Sequence, residues 1–597
     1  MAALDEELPA VSGASSRGRT WRTAAPYLLL LAVALALPLF ANDYWAVIAS
    51  RAAVYWICVA GLNLAVGFGG QLAVGWLALL TIGAYAASIL VGRAGMDPFL
   101  TFLPVAAIGV VGGALIGATA LRLSLFYFAM LTLGFSTIVT QIALAWQSLT
   151  GGGIGLPGPA MPAPFNTPWG FYLFCLPLGA LCVWMTLNVA ASRFGRALLA
   201  IRDAEVAAEA SGIRKPAVIV TVFAFAGLTA TVSGQLFATL QSYITPDAFT
   251  FDLTVLLFVA ILIGGRGSVL GPLLGTILLT LLPEVASPLV MWAPFLYAFL
   301  LLVIVLAVPG GIAELIDFKN RKPLKSGRLI LPVPERLPAL LDAARSDAAI
   351  GVSGLSVSFG AVRAVVDLDL TVPAGQVTGL IGPNGSGKTT TLNAISGYYV
   401  PAGGWVAVGG HRLAPGVSSS RAAAGIARTF QTPRLVGEAS VIDNAMIGGS
   451  TAGRASFVET LLALPRHGRE EAHLRARALA ALDAVGLADL AEARCDRLQH
   501  SEQRFLEIAR ALMMRPRFLL LDEPAAGLAV GEILRLGALI KELRRLGVGV
   551  LLVEHHADLV LDVCDQVNVL NFGRLLAGGT PDAIRQSEEV RSAYLGA

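Results

Sequence analysis

Between Arg22 and Arg193 the chain carries five charged side chains: Asp43, Arg51, Arg93, Asp97 and Arg122. A water-soluble globule of that size cannot clothe its surface with so few charges. Across all 597 residues, 14% are charged and 56% are apolar, where an ordinary soluble protein has roughly 25% charged. A fully soluble protein is excluded. Cys58, Cys175, Cys182, Cys495 and Cys564 show neither paired nor metal-ligand spacing, so a disulfide scaffold is excluded too. A net charge of +3 without a long basic tract gives no reason to expect a nucleic-acid partner.

The composition changes near residue 320. Residues 24–318 form a membrane domain, with apolar runs at about 25–40, 44–66, 71–91, 99–119, 125–145, 167–190, 216–240, 252–283 and 290–309. A helical span needs about 20 apolar residues, so the first run is short: it extends through Asn42 and Asp43, or lies re-entrant or in the interface. The run 252–283 is interrupted by Gly264, Gly265, Arg266 and Gly267, and reads as two short or broken helices. The expected fold is an all-α polytopic domain of about 8–10 spans. Basic clusters in the tail 1–23, in 191–215 and in 319–328 put these three on the cytoplasmic side. The break at 264–272 is either a gating element or a plain turn. The glycine-rich stretch 149–158 is either a folded external loop or a flexible one.

Residues 191–215 lie between two spans. Leu198, Ile201, Val206 and Ala210 give them an apolar stripe; Arg202, Asp203, Glu205 and Glu209 give them a charged side. A short amphipathic helix with that pattern lies on the membrane or docks in a groove of another domain, and a motor domain on the same chain favours docking.

After a linker at 319–347, residues 348–597 alternate short Val/Leu/Ile runs with charged helical patterns, as an α/β domain does. The strand-like segment 376–381 leads into Gly382, Pro383, Asn384, Gly385, Ser386, Gly387, Lys388, Thr389 and Thr390. This is a complete phosphate-binding loop between a strand and a helix. Lys388 is expected to reach the β and γ phosphates, and Thr389 to place its hydroxyl on Mg²⁺. Four apolar residues end in Asp522 and Glu523. Asp522 is the expected Mg²⁺ partner and Glu523 the group that orients or deprotonates water. Gln431 is a candidate γ-phosphate or Mg²⁺ sensor, or an ordinary loop glutamine. His555 ends another apolar strand, where phosphate-contacting groups gather. Phe359 offers a flat face to adenine, with a core aromatic as the alternative.

These motifs resemble the ABC transporters, and within them the branched-chain amino acid importers. The ATPase resemblance covers 348–597. It rests on the loop 382–390, Arg428-Thr-Phe-Gln431, Glu507-Ile-Ala-Arg-Ala-Leu512, Asp522-Glu-Pro-Ala-Ala-Gly-Leu528 and Glu554-His555. Residues 24–315 resemble the membrane permease of the same system through Gly61-Leu-Asn-Leu64, Gly69-Gly-Gln71, Thr150-Gly-Gly-Gly153, Gly195-Arg-Ala197, Ala200-Ile-Arg202 and Gly264–Pro272. The resemblance implies a natural fusion of permease and ATPase that hydrolyses ATP with Mg²⁺. It makes Phe359 the adenine-stacking aromatic. It implies a coupling segment containing Gly195, Arg196, Arg202, Asp203 and Glu205. It implies partners as well: a second permease, a second ATPase and an extracytoplasmic solute-binding protein, assembled on the lipid bilayer of the cytoplasmic (inner) membrane with the ATPase domain in the cytoplasm.

The sequence departs from the family where ATP should meet the opposing subunit. The family's signature loop is Leu-Ser-Gly-Gly-Gln, and here Leu498, Gln499, His500, Ser501 and Glu502 stand in its place. A Cβ at Ser501 stands where bare backbone is wanted. The departure points to an asymmetric pair, with the second ATPase supplying the intact signature; the alternative is that Ser501 is tolerated and both sites work. Import of leucine, isoleucine or valine is the leading expectation. Import of urea, short amides or aromatic acids, and a homodimeric exporter, are the alternatives. Apart from Arg122 and Arg266, no charged membrane residue stands out as a partner for a charged solute, which leaves selection to the binding protein.

Overall fold

The computed structural model describes residues 16–285 and 348–595 throughout, with scattered positions between 292 and 341. The basic flank 319–328 and most of the run 290–309 lie outside the described residues. The chain forms two compact units. The first is Met1–Arg202 with Pro216–Lys322 and Ser456–Leu464; the second is Asp203–Lys215 with Pro323–Ala455 and Pro465–Ala597.

The first unit is helical: α1 (Ser16–Ala36), α2 (Asp43–Asn63), α3 (Leu77–Gly92), α4 (Phe102–Ala120), α5 (Leu125–Ala145), α6 (Gln147–Thr150), α7 (Pro168–Ala190), α8 (Arg193–Asp203), α10 (Lys215–Gln241), α11 (Phe251–Gly264) and α12 (Leu270–Val285), with α9 (Glu205–Ala210) lying in the second unit. Among the described residues six helices are long and apolar enough to cross a membrane; Ala25–Leu39, Leu77–Gly92 and Leu270–Glu284 are shorter. Six long helices and these three shorter ones fall within the expected 8–10 apolar segments. The run at 71–91 shortens, and just before its helix Gly75 sits so close to α5 that a Cβ would lie 1.8 Å from the Thr132 carbonyl oxygen. The helix starts only at Leu77, beyond that contact. The run 252–283 is indeed broken, with Gly265 at φ +102° between α11 and α12.

Small residues let the helices touch backbone to backbone. A Cβ at Gly83 would lie 2.2 Å from the Thr231 carbonyl oxygen, and one at Gly109 would lie 2.4 Å from that of Gly227. In lipid, where apolar surface gains nothing from leaving water, such close approach supplies the packing. The loop after α5 is folded: β1 (Leu156–Pro157) pairs antiparallel with β2 (Tyr243–Ile244).

The second unit is an α/β sandwich of two sheets. Antiparallel strands β3 (Ala349–Phe359), β4 (Val362–Pro373), β6 (Gly403–Val408) and β7 (His411–Arg412) run in the order β4-β3-β6-β7. The main sheet uses β5 (Val377–Ile381), β8 (Ile426–Arg428), β9 (Phe518–Asp522), β10 (Gly549–Val553), β11 (Gln566–Asn571) and β12 (Arg574–Gly579), ordered β12-β11-β5-β10-β9-β8. Its central pairs are parallel, and every residue of β9 and β10 is buried, as sequence runs such as Phe-Leu-Leu-Leu require. Leu337 and Leu340 fall in the stretch read as linker, yet they are buried in the apolar core of this unit. Two leucines of full size repay burial more than exposure on a spacer.

Candidate functional site

The parallel register brings the motifs together. Val553 lies opposite both Leu380 and Asp522, and Arg428 lies opposite Leu520. The carboxyl ends of β5, β8, β9 and β10 therefore share one edge, the edge where open α/β sheets bind ligands. The phosphate loop leaves β5 and feeds the helix Lys388–Ile395. Gly385 and Gly387 have φ of +81° and +101°, and a Cβ on Gly385 would meet nothing within 4 Å. That leaves an open cradle of backbone before a helix N-terminus, suited to phosphate.

Lys388 is buried, and its Nζ donates to the carbonyl oxygens of Gly382 (2.8 Å) and Pro383 (3.0 Å). Burial pushes its pKa down, against the pull of Glu523 and Asp522. Thr389 and Thr390 are half-buried in the first turn of the helix. Asp522 is 1% exposed. Its Oδ2 accepts from Arg428 Nη2 at 3.2 Å, while its Oδ1 is buried with no hydrogen-bond partner among the described residues. Burial raises the Asp522 pKa, and Arg428 opposes that. An orphaned carboxylate oxygen beside a phosphate cradle fits a hard cation, which favours oxygen donors.

Glu523 is held from two sides. Gln431 Nε2 donates to its Oε2 at 2.9 Å, and His555 Nε2 lies 3.2 Å from its Oε1. The structure thus gathers Gln431, Glu523 and His555, residues 92 and 32 positions apart in pairs that the sequence could only place at separate strand ends. His556 is exposed. Phe359 is 47% exposed and meets Tyr399 edge-on at 5.0 Å, so its ring face stays largely open.

Several contributors stand in the motifs that carry the resemblance, yet their roles are not legible from sequence. Glu554, 2% exposed, accepts from the N–H groups of Ala525, His555 and His556. It ties the turn after β9 to the turn after β10. Glu507 accepts from Phe430 N (3.2 Å), Arg434 N (3.1 Å) and Arg510 Nη2 (3.1 Å). Arg504 donates to the Phe430 carbonyl at 2.7 Å and to that of Gln431, and Arg510 donates to that of Arg434. The helix His500–Leu512 thereby grips the loop bearing Gln431. A buried charge at such a position could be found from sequence only by knowing which loop it faces.

The same helix begins at the altered signature. Leu498 is buried, Gln499 and His500 are exposed, and Ser501 and Glu502 are 8% and 6% exposed. Glu502 Oε2 accepts from Gln499 N at 2.8 Å, so the helix N-terminus holds a carboxylate of its own, and negative charge is already present where an anion would dock.

The 191–215 segment is two helices rather than the expected one. Ala204, at φ −147°, separates α8 from α9. The break rotates the buried face: Ala204 and Ala207 pack against Phe430, with Val206 and Ala210 only partly buried around them. Asp203 and Glu205 are exposed, and Glu205 pairs with Lys215 at 2.5 Å. Gly195 and Arg196 are buried in the first unit, where Arg196 Nη1 donates to the Ala191 carbonyl at 3.3 Å; Arg202 Nη1 donates to that of Gly67 at 2.8 Å. In the membrane, Asn63 Nδ2 donates to the Ser268 carbonyl at 2.8 Å, fastening α2 to the α11–α12 turn.

Comparison with known proteins agrees with both units. Residues 44–309 match the family described as branched-chain amino acid transport system / permease component. Residues 365–526 match the ABC transporter family, and 574–597 match branched-chain amino acid ATP-binding cassette transporter. The high-affinity branched-chain amino acid transport ATP-binding protein BraF of Pseudomonas aeruginosa is 41% identical over 246 residues, which is 41% of this chain and 96% of that protein. LivG of Escherichia coli, of the same description, is 38% identical over 248 residues, 41% of this chain and 97% of that protein. Among solved structures, a nucleotide-free ATP-binding cassette from an ABC transporter is 29% identical, with a TM-score of 0.38 over 42% of this chain and 100% of that one. The chain belongs to the ABC transporters of the branched-chain amino acid family: a multi-pass membrane protein in which a permease domain and an ATP-hydrolysing domain are one polypeptide.

Proposed function

We propose that this chain is the fused permease and ATPase component of an importer that moves branched-chain amino acids at the expense of ATP. It works with a second permease, a second ATPase and an extracytoplasmic solute-binding protein. One observation carries the mechanistic part: a Glu523 carboxylate within reach of both Gln431 and His555 shares a chain with a signature helix whose entry is occupied by its own Glu502.

Phe359 stacks the adenine, and the backbone from Gly382 to Thr390 cradles the phosphates. Lys388 exchanges its two carbonyl partners for phosphate oxygens, an exchange favoured by the partial desolvation it already bears. Thr389, Asp522 and Gln431 are the residues that would hold Mg²⁺, which supplies charge neutralisation on the phosphates. Glu523 orients the attacking water, with Gln431 and His555 fixing its two oxygens. Gly195, Arg196, Arg202, Asp203 and Glu205 belong to the segment that transmits the change. The packing of Ala204 and Ala207 on Phe430, the residue before Gln431, supports that route.

The test is uptake in cells lacking the gene. Labelled leucine, isoleucine and valine should enter only when the gene is restored, and the purified complex should contain the additional subunits. Uptake of urea or short amides instead, or export by the chain alone, would overturn the reading.

A further inference from the structure

The sequence singled out Arg122 and Arg266 as the membrane charges available to a solute; the structure brings together a different pair. Arg51 in α2 and Glu284 in α12 form an ion pair, Nη1 to Oε1, at 3.2 Å, with the side chains 31% and 16% exposed. Tyr44, one residue into α2, donates its hydroxyl to the other Glu284 oxygen. Arg51 lies eight residues into α2, about 12 Å along it at ~1.5 Å per residue, in a helix long and apolar enough to cross a membrane. Charges in such helices are costly and mark substrate paths.

The pair is also incomplete. A guanidinium has five N–H donors. Arg51 makes one hydrogen bond, through Nη1, and its Nε is buried with no partner among the described residues. A guanidinium engaged along one edge keeps donors for a second carboxylate, and its fork geometry binds carboxylates in pairs of parallel bonds. Glu284 supplies a carboxylate of opposite demand. Tyr44, seven residues before Arg51, shares its helix face; it is 52% exposed and its ring meets that of Trp45 at 5.8 Å.

Resting on the import reading, we propose that Arg51, Glu284 and Tyr44 form a recognition site for a zwitterionic α-amino acid within the permease. The solute carboxylate takes the unused donors of Arg51, its ammonium group takes Glu284, and its apolar side chain lies on the Tyr44 and Trp45 rings. Selection is then shared between the permease and the binding protein.

The test uses the complete complex in proteoliposomes with its binding protein. Labelled leucine is compared with its deaminated acid and its decarboxylated amine, each loaded at saturating concentration. Wild type is expected to carry leucine at least tenfold faster than either analogue. Arg51→Lys keeps the charge and the Glu284 partner but loses the Nε donor; leucine uptake should fall about tenfold with the melting temperature essentially unchanged. The exchanged double variant Arg51→Glu/Glu284→Arg keeps a bond between α2 and α12. It should restore the melting temperature lost in Glu284→Gln while leaving uptake at least tenfold below wild type. Full uptake in the exchanged variant would show the pair to be a clamp between helices, and the proposal would fall alone. If wild type carries urea and no leucine, the import reading falls and takes this proposal with it.

Discussion

Glu523 has φ +48°, a backbone region that non-glycine residues adopt at a cost of about 1–3 kcal/mol. Its N–H is tied to the Val553 carbonyl at 2.9 Å, and both carboxylate oxygens are engaged. The strained backbone thus aims a carboxylate that two side chains then hold in place. Replacing Glu523 with Gln keeps the shape and removes the negative acceptor. Turnover at this chain's own phosphate loop should drop at least 100-fold, on the order expected for loss of a general base, with ATP binding retained; filter binding and phosphate release measure the two. Phe359→Ala should raise the KM for ATP about tenfold with little change in kcat, because a stacking ring contributes about 0.5–1.5 kcal/mol beyond its area. At this scale, the residues of the phosphate loop were legible because their chemistry is local: nine consecutive positions suffice. Arg428, Glu554 and Glu507 were not legible as site members, since each acts through a partner 29 to 94 positions away.

The helix His500–Leu512 illustrates what an element adds. Its buried face holds Arg504, Glu507 and Arg510. Burial pushes the Glu507 carboxyl up, while Arg510 and the N–H groups of Arg434 and Phe430 pull it down; burial pushes Arg510 down. Charges buried this way are tolerable only in company. Glu507→Ala leaves Arg510 and two N–H groups without their acceptor. It should destabilise the domain by about 3–5 kcal/mol, the cost of breaking a buried pair, read from denaturant or thermal unfolding of the complex. Arg504→Lys is a subtler variant. It keeps the charge but cannot span the carbonyls of Phe430 and Gln431 together. Its expected signature is a fall in binding-protein-stimulated hydrolysis larger than the fall in unstimulated hydrolysis. Element identity was legible where glycine interrupts an apolar run, as at Gly265, and where four apolar residues precede two acids. The division of 191–215 at Ala204 was not, because alanine is the best helix former; its break comes from tertiary packing against Phe430.

For the whole molecule, the proposed pairing with a second ATPase gives this chain half of each ATP site, and the two halves are unequal. In that pairing the Lys388–Asp522–Glu523 set would complete a site with the partner ATPase's signature. The Leu498–Glu502 stretch would face the partner's phosphate loop instead. There, a γ-phosphate carrying negative charge would meet Glu502, 6% exposed and bonded to Gln499 N, and the Cβ of Ser501, 8% exposed. Like charge at a helix N-terminus cancels the dipole that should attract the phosphate. Glu523→Gln in this chain should therefore abolish most turnover of the complex, at least tenfold. The same change at the partner's catalytic acid should leave more than half. Steady-state hydrolysis by the two complexes, purified side by side, makes the comparison. A combined return to the family pattern (Gln499→Ser, His500→Gly, Ser501→Gly and Glu502→Gln) should then make the two variants alike by bringing the second site to life. Equal losses before that repair would mean that the altered signature is tolerated and that the two sites fire as equals.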